Sequence, residues 1–178
     1  TTTLANGNTV SCDITVTGGT CLTSTTAGSN TIATAVNPNS TPTVNITANP
    51  AGPVCTGTSV TFTATATSIA GGTVNYNFKV NGSSVQNNAS NTFTTSTLAN
   101  GNTVTCDITI TGGTCLTATT TSSNIISMVV NPNSIPSLNI TANPAGPICT
   151  GTSVTFTATA NNTAGGTVNY NFKVNGTS

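Results

Sequence analysis

One passage of this chain occurs twice, and the repeat constrains the fold more than any other feature. The residues "NITANPAGPVCTGTSVTFTATA" start at Asn45, and "NITANPAGPICTGTSVTFTATA" starts 94 residues later, at Asn139. A fixed period indicates an array of similar modules. A period of 94 residues is too long for a helical solenoid or a propeller blade, and it suits a small β-sandwich of about 100 residues.

The same offset relates the remaining parts of the chain. Segment 41–84 matches segment 135–178 at 36 of 44 positions, and segment 1–40 matches segment 95–134 at 30 of 40. We therefore expect one complete module at 41–134, the C-terminal part of a module at 1–40, and the N-terminal part of the next module at 135–178. Only a counterpart of the polar stretch "VQNNASNTFT", expected to be a loop, is absent from two full periods. This pattern predicts a longer array.

Composition and residue alternation both predict β-strands. The chain has 44 Thr, 25 Asn and 17 Ser, whereas strong helix formers are scarce. In "SVTFTATA", Val60, Phe62 and Ala64 alternate with threonines, which is the period of a strand with one buried face. Turn signals such as "NPAGP", "AGG" and "TGG" separate such segments. We therefore predict an all-β fold with about seven strands per module in two layers.

The alternation also predicts which side chains face the core of module 41–134. These residues lie in five strand-like segments: Val44 and Ile46; Val60, Phe62, Ala64 and Ala66; Val74, Tyr76, Phe78 and Val80; Phe93; Val104, Cys106, Ile108 and Ile110. The apolar segment "NIISMVV" closes the module. The intervening threonines and asparagines are predicted to face outward.

The order of the motifs resembles that of the immunoglobulin-like or PKD-like tandem repeats in large cell-surface or secreted proteins of Bacteroidota. The resemblance covers the whole chain and rests on "PAGPVCTGTSVTFTATAT", "GGTVNYNFKVNG", "TFTTSTLANGNTVTCDIT" and "TCLTATTTSSNIISMVVNP", in that order. Such repeats usually carry Trp where this chain has Phe78 and Phe172. The resemblance implies tandem immunoglobulin-like β-sandwich repeats in an extracellular stalk, adhesin or fibre that has no enzyme activity.

The charged residues are too few for most kinds of catalysis and ligand binding. The chain has two Lys, two Asp and no Arg, Glu or His, so it lacks the groups for general acid–base or nucleophilic catalysis. Zinc, calcium and nucleic-acid sites are disfavoured for the same reason. No apolar run reaches the roughly 18 residues that span a bilayer. We predict no enzyme activity, cofactor, metal, nucleic-acid partner or membrane span in this segment.

The six cysteines predict disulfides and hence an oxidising, extracellular location. The predicted topology places Cys55 and Cys106 toward the same end of the sandwich, which favours a bond between them. The resemblance instead favours Cys55 with Cys115, although the topology places Cys115 at the opposite end. A bond from Cys115 to a neighbouring module or chain and a free buried thiol remain alternatives. The repeat equivalents are Cys12, Cys21 and Cys149.

Lys79 and Asp107 are the charged residues of the complete module, and both are predicted to point outward from neighbouring strands. The simplest interpretation is a surface ion pair. The alternative is a Lys–Asn isopeptide bond for which Asp107 shuttles the proton. That reaction needs a desolvated lysine, and the outward orientation of Lys79 disfavours it.

The polar surface suggests further sites. Rows of threonine form either an ordinary strand surface or a docking face for another copy; ice binding is a third interpretation, which a twisted sheet disfavours. Candidate glycosylation sites occur at seven Asn-x-Ser/Thr sequences: Asn39, Asn45, Asn81, Asn88, Asn139, Asn161 and Asn175.

Two functional classes follow for a chain located outside the cell or on its surface. The first is a structural segment of a fibre, filament or stalk, whose partners are other copies of the chain. The second is an adhesin module that binds a glycan or host protein through its loops. Near-identity between the repeats favours the structural class, because loops that bind distinct ligands should differ.

Overall fold

The computed structural model describes residues 3–177, and the regular elements there are all β-strands, which confirms the all-β prediction. The strands are β1 (Thr9–Val10), β2 (Asp13–Thr15), β3 (Thr26–Gly28), β4 (Ile32–Ala33), β5 (Thr43–Asn49), β6 (Val54–Cys55), β7 (Val60–Thr67), β8 (Thr73–Val80), β9 (Ser83–Asn88), β10 (Thr92–Thr95), β11 (Thr103–Thr111), β12 (Thr120–Ser122), β13 (Ile126–Ser127), β14 (Val130–Asn131), β15 (Ser137–Asn143) and β16 (Thr155–Asn161). Within residues 3–177, no helix has the length and apolarity needed to cross a membrane.

Two antiparallel sheets form the central part of the chain, residues 41–134. The first has the strand order β10-β7-β5, and the second has the order β12-β11-β8-β9, with β13 also paired to β11. A short parallel pair, β14 with β6, lies beside them. Side chains from both sheets belong to one hydrophobic core, so the two sheets pack on each other through their apolar faces.

Alternation along the strands builds this core. In β11, Val104, Cys106, Ile108 and Ile110 are all buried, while the residues between them are partly or fully exposed. Val60, Phe62 and Ala64 of β7 are buried in the same way. Burying each large side chain stabilises the fold by about 1.5–3 kcal/mol. The inward-facing residues predicted for these two strands are confirmed.

The polar stretch after β8 differs from the sequence-based expectation. Residues 85–94 are expected to be a loop, but residues 85–88 belong to β9, which pairs with β8 through a tight turn at Asn81 and Gly82, and residues 92–94 belong to β10. Both turn residues have positive φ, 50° and 81°, as a two-residue hairpin turn requires. Because β9 lies at the edge of its sheet, it forms without contributing apolar residues to the core.

The two outer segments repeat the local pairing of the central part. Strands β15 and β16 pair with Ile140 opposite Ala158, as β5 and β7 pair with Ile46 opposite Ala64. Strands β2 and β3 repeat the register of β11 and β12 in the same manner. Each outer hairpin therefore has the backbone arrangement of its counterpart 94 residues away.

One identical sequence adopts two different structures. The decapeptide "TVNYNFKVNG" occurs at 73–82 and at 167–176. The first copy forms β8 against β11, whereas residues 167–173 of the second copy form no strand. Because the sequences are identical, the difference arises from the neighbouring strand and not from intrinsic propensity.

Candidate functional site

The structure brings Lys79 and Asp107 together across two strands. Lys79 on β8 is opposite Thr105, and Asp107 on β11 is opposite Asn77. The two charged residues are thus diagonal neighbours on the outer face of the sheet, and Lys79 Nζ lies 2.5 Å from Asp107 Oδ2. Their side chains remain 29% and 35% exposed.

The pair is an electrostatic contact of modest strength. The hydrogen bond from Lys79 lowers the pKa of the Asp107 carboxyl; desolvation opposes this effect, and a hydrogen bond from Ser122 adds to it. At this exposure a pair contributes about 0–1 kcal/mol. Lys79 lacks the desolvated environment that isopeptide formation needs. The outer segments carry the equivalent residues Lys173 and Asp13, and no ion pair joins these two among residues 3–177.

The cysteines occupy contrasting environments. All six have free thiols in the structure, and Cys106 is buried whereas the other five are exposed. Burial, followed by the neighbouring Asp107 charge, raises the pKa of the Cys106 thiol to about 11, while a hydrogen bond from the Asn77 backbone opposes the rise. A thiol of this kind is a poor nucleophile and metal ligand.

Cys55 and Cys115 lie at opposite ends of the central part. The carbonyl of Cys115 accepts a hydrogen bond from the N–H of Ser40, just before β5 begins. Cys55 lies in β6, which follows the end of β5 and pairs with β14. No disulfide joins Cys55 to Cys106 or to Cys115 in this structure, so both pairings stay predictions.

The outer face of the β10-β7-β5 sheet presents rows of hydroxyl groups. Thr43 and Thr67 form a hydrogen bond between their side chains at 2.7 Å, and Thr61 and Thr94 form another at 2.9 Å. These four residues belong to opposed positions in neighbouring strands. The face is polar but carries no charged residue, so it can approach a similar surface without electrostatic repulsion.

The seven candidate glycosylation asparagines are all exposed: Asn39, Asn45, Asn81, Asn88, Asn139, Asn161 and Asn175. Asn81 is already engaged locally, because its Oδ1 accepts a hydrogen bond from the N–H of Thr103 at 3.0 Å. Its side chain therefore helps to fix the turn between β8 and β9.

Apolar side chains of the outer segments form a surface that the sequence patterns above do not predict. Residues such as Leu138, Ile140, Phe156 and Phe172 line a cleft of about 250 Å³ on segment 135–178 and remain exposed. The repeat pattern could have indicated this apolar surface, because each of these residues is the repeat equivalent of a core residue in the central part.

Neither a metal-binding cluster nor a similarity to known proteins points to a function. Within the described residues, no group of three or more His, Cys, Asp or Glu side chains could hold a metal ion. No protein-family model matches the chain, and no curated protein matches its sequence.

Proposed function

We propose that this chain is a structural segment of an extracellular fibre, filament or surface stalk, built from tandem immunoglobulin-like β-sandwich modules. The observation that carries the proposal is the 94-residue repeat, together with the identical strand registers of counterpart hairpins such as β15–β16 and β5–β7. A polymer of equivalent units is the most direct use of such a chain.

The architecture of the central part supports the immunoglobulin-like assignment. Antiparallel sheets of three and more strands share one core, and short turns connect the strands, as in β-sandwich domains of about 100 residues. On this view the modules are 41–134 and the partial modules 1–40 and 135–178. A relation to the surface proteins of Bacteroidota is part of the same proposal and rests on the motif order.

The surface composition supports association between copies. The chain has two Lys and two Asp in 178 residues and zero net charge, so copies lie side by side without a repulsive field. The hydroxyl rows of Thr43, Thr67, Thr61 and Thr94 offer an uncharged contact face. The role requires no catalytic group.

The proposed location is outside the cell or on its surface. Six cysteines and seven exposed glycosylation sequences suit an oxidising compartment. Non-reducing and reducing intact-mass measurements test this directly, since each disulfide lowers the mass by about two daltons. Cysteines that are all reduced in the native material argue against the location.

Electron microscopy of native material, with an antibody against this chain, tests the function. Long filaments of uniform width that carry the antibody along their length are the expected result. Separate beaded stalks on cells, combined with binding to a glycan array, favour the adhesin alternative. Labelling confined to the cell interior contradicts both roles.

A further inference from the structure

The central part of the chain, residues 41–134, carries a thiol beside each of its two ends. At the N-terminal end, the N–H of Ser40 donates to the carbonyl of Cys115 at 2.8 Å. At the C-terminal end, Cys55 of β6 is paired with Asn131 of β14. Both thiols are exposed. Each junction with a neighbouring segment therefore lies next to a cysteine.

The linker that follows the central part is held by the backbone beside Cys55. The N–H of Thr56 donates to the Asn131 carbonyl at 2.9 Å, and Asn133 Nδ2 donates to the Thr56 carbonyl at 3.3 Å. The next residue, Ser134, is the repeat equivalent of Ser40, which bonds Cys115. In a tandem array, consecutive linker residues are thus held by the Cys55 side of one module and by the Cys115 equivalent of the next.

The loop that carries Cys115 is fixed firmly to the linker before the central part. The carbonyl of Ser40 accepts hydrogen bonds from the N–H of Thr117 at 2.9 Å and from its hydroxyl at 3.3 Å. Cys115 has a φ of 60°, and its repeat equivalent Cys21 has a φ of 65°. The loop therefore keeps the same backbone conformation at the cysteine in both copies.

Distances favour a bond across the junction over a bond within the central part. From Asn131 to Ser134 the linker advances three residues, which is about 11 Å at most. Within the central part, the seven residues of β5 separate the two cysteine-bearing ends by about 20 Å of strand. A disulfide requires Cα atoms about 4.4–6.8 Å apart, so the short linker permits the bond and the length of β5 prevents it.

Cys106, the third cysteine of the central part, is unsuited to bridging. Its side chain is 0% exposed, and its residue lies opposite Phe78 in the core. Burial raises the pKa of its thiol to about 11, so the reactive thiolate is scarce at neutral pH. The three cysteines thus divide into two junction thiols and one buried thiol.

We propose that Cys55 of each module forms a disulfide with the Cys115 equivalent of the next module, so that a covalent bridge spans each junction of the array. Cys55 bonds the cysteine one period of 94 residues beyond Cys115, and Cys115 bonds the cysteine one period before Cys55. The bridge gives each junction a second covalent connection beside the linker and limits bending there. The inference rests on the tandem array of the proposed function and names the bond between its successive modules.

Bridge formation needs an oxidant, and a small-molecule or protein disulfide of the oxidising compartment supplies it. The Cys55 thiolate attacks one sulfur of that disulfide, which forms a mixed disulfide and releases one thiol. The thiolate of the Cys115 equivalent then attacks the Cys55 sulfur and releases the second thiol. Two protein thiols become one disulfide, the oxidant becomes two thiols, and the protons of the protein thiols pass to the released thiolates.

Cysteine variants of the full-length protein test the proposal, because each variant removes one partner and frees the other. The protein is purified without reductant, its free thiols are alkylated with iodoacetamide, and its peptides are identified by mass spectrometry. Cys115→Ser should free the Cys55 equivalent of the preceding module and leave Cys55 bonded. Cys55→Ser should free the Cys115 equivalent of the following module. Cys106→Ala is the matched control, which should free no further thiol. The peptides "GPVC" at Cys55 and "GPIC" at Cys149 differ in mass, which separates these modules.

Several outcomes overturn the proposal. Alkylation of Cys55 itself in the Cys115→Ser variant indicates a bond within the module, and alkylation of Cys55 in the Cys106→Ala variant indicates a bond to Cys106. Wild-type protein in which Cys55 and Cys115 are both alkylated has no bridge. Electrophoresis without reductant should show the mass of a single chain, and disulfide-linked multimers would show bonds between chains instead. Native filaments without junction bridges sink this inference and leave the proposed function standing, whereas junction bridges in a protein that forms neither filament nor stalk do the reverse.

Discussion

The side chain of Asn124 bonds both backbone groups of Ile46. Its Oδ1 accepts a hydrogen bond from the N–H of Ile46 at 2.8 Å, and its Nδ2 donates to the Ile46 carbonyl at 3.2 Å. Asn124 lies between β12 and β13 of the second sheet. Its side chain forms hydrogen bonds with edge-strand backbone groups of β5 that a neighbouring strand would otherwise bond. One amide therefore ties the two sheets together.

Replacing Asn124 by Ala should lower the free energy of unfolding by about 1–2 kcal/mol, because two backbone hydrogen bonds are lost. Urea unfolding followed by circular dichroism measures the change. The matched control is Asn30→Ala, the repeat equivalent, which should leave the stability of the dilute chain unchanged. Equal losses for the two variants would contradict the role assigned to Asn124.

Phe62 and Phe156 give a second matched pair. Phe62 is buried and its ring stacks on Phe93 at 6.2 Å, so Phe62→Ala should cost about 3–5 kcal/mol. Phe156 is largely exposed, and Phe156→Ala should change stability by less than about 0.5 kcal/mol in dilute chain. Denaturant midpoints measured at micromolar concentration test both values.

Stability should fall in acid through Asp107. Its pKa is lowered in the folded state, chiefly by the hydrogen bond from Lys79, so the unfolded state binds the proton more readily. This stabilisation is present above the ordinary carboxyl pKa of about 3.9 and is lost as the pH falls through the lowered value. Asp107→Asn should flatten the acid limb of a pH–stability curve measured by urea unfolding, and an unchanged acid limb would contradict the role of the ion pair.

The Cys106 thiol should resist alkylation in the folded, reduced protein. With its pKa raised to about 11, the thiolate fraction at pH 8 is roughly 100-fold below that of an ordinary cysteine. The equivalent Cys12 is exposed, so the reagent reaches it directly and it should be alkylated faster than Cys106, whereas both should react alike in denaturant. Mass spectrometry of iodoacetamide-treated chain measures the difference; rapid labelling of folded Cys106 would count against its burial.

The same thiol should make the fold sensitive to alkali. The unfolded thiol releases its proton near its ordinary pKa, whereas the folded thiol retains it to about pH 11. Stability contributed by the neutral thiol is therefore complete below the unfolded pKa and falls as the pH rises toward the folded value. Substituting Cys106 by Ala should remove this alkaline decline, although the variant is less stable at neutral pH.

Ala70 offers a stabilising substitution. It has a φ of 49° in the turn between β7 and β8, a conformation that costs a residue with a Cβ about 1–2 kcal/mol. Ala70→Gly should raise the free energy of unfolding by about 0.5–1 kcal/mol after the entropy of the unfolded glycine is subtracted. The opposite change at the next residue, Gly71→Ala (φ 76°), should destabilise the chain. Thermal unfolding compares the two.

Sequence alternation predicted the strands that have one apolar face. For β7 and β11 the inward residues, such as Phe62 and Ile108, are the buried ones, because burial is what enforces period-2 patterning. β9 escaped prediction because an edge strand of polar residues leaves no such pattern; only the Asn81-Gly82 turn pointed to it.

The candidate sites were predictable to different degrees. Lys79 and Asp107 meet because register follows from the alternation of their own strands. Local sequence patterns could not predict that the two copies of "TVNYNFKVNG" differ in structure. Phe78 is buried where its strand pairs with β11, whereas the identical residue Phe172 is exposed. Long-range pairing determines that outcome and leaves no mark in the decapeptide itself.

The chain has few charged residues, and Lys79 and Asp107 are the ion pair of the central part. This scarcity affects how the stability of the fold responds to salt. Dissolved salt screens the attraction between exposed charges, but the chain has only two Lys and two Asp residues. The stability of the central part should therefore change little between low and high salt, and it should respond to temperature and to agents that compete for hydrogen bonds.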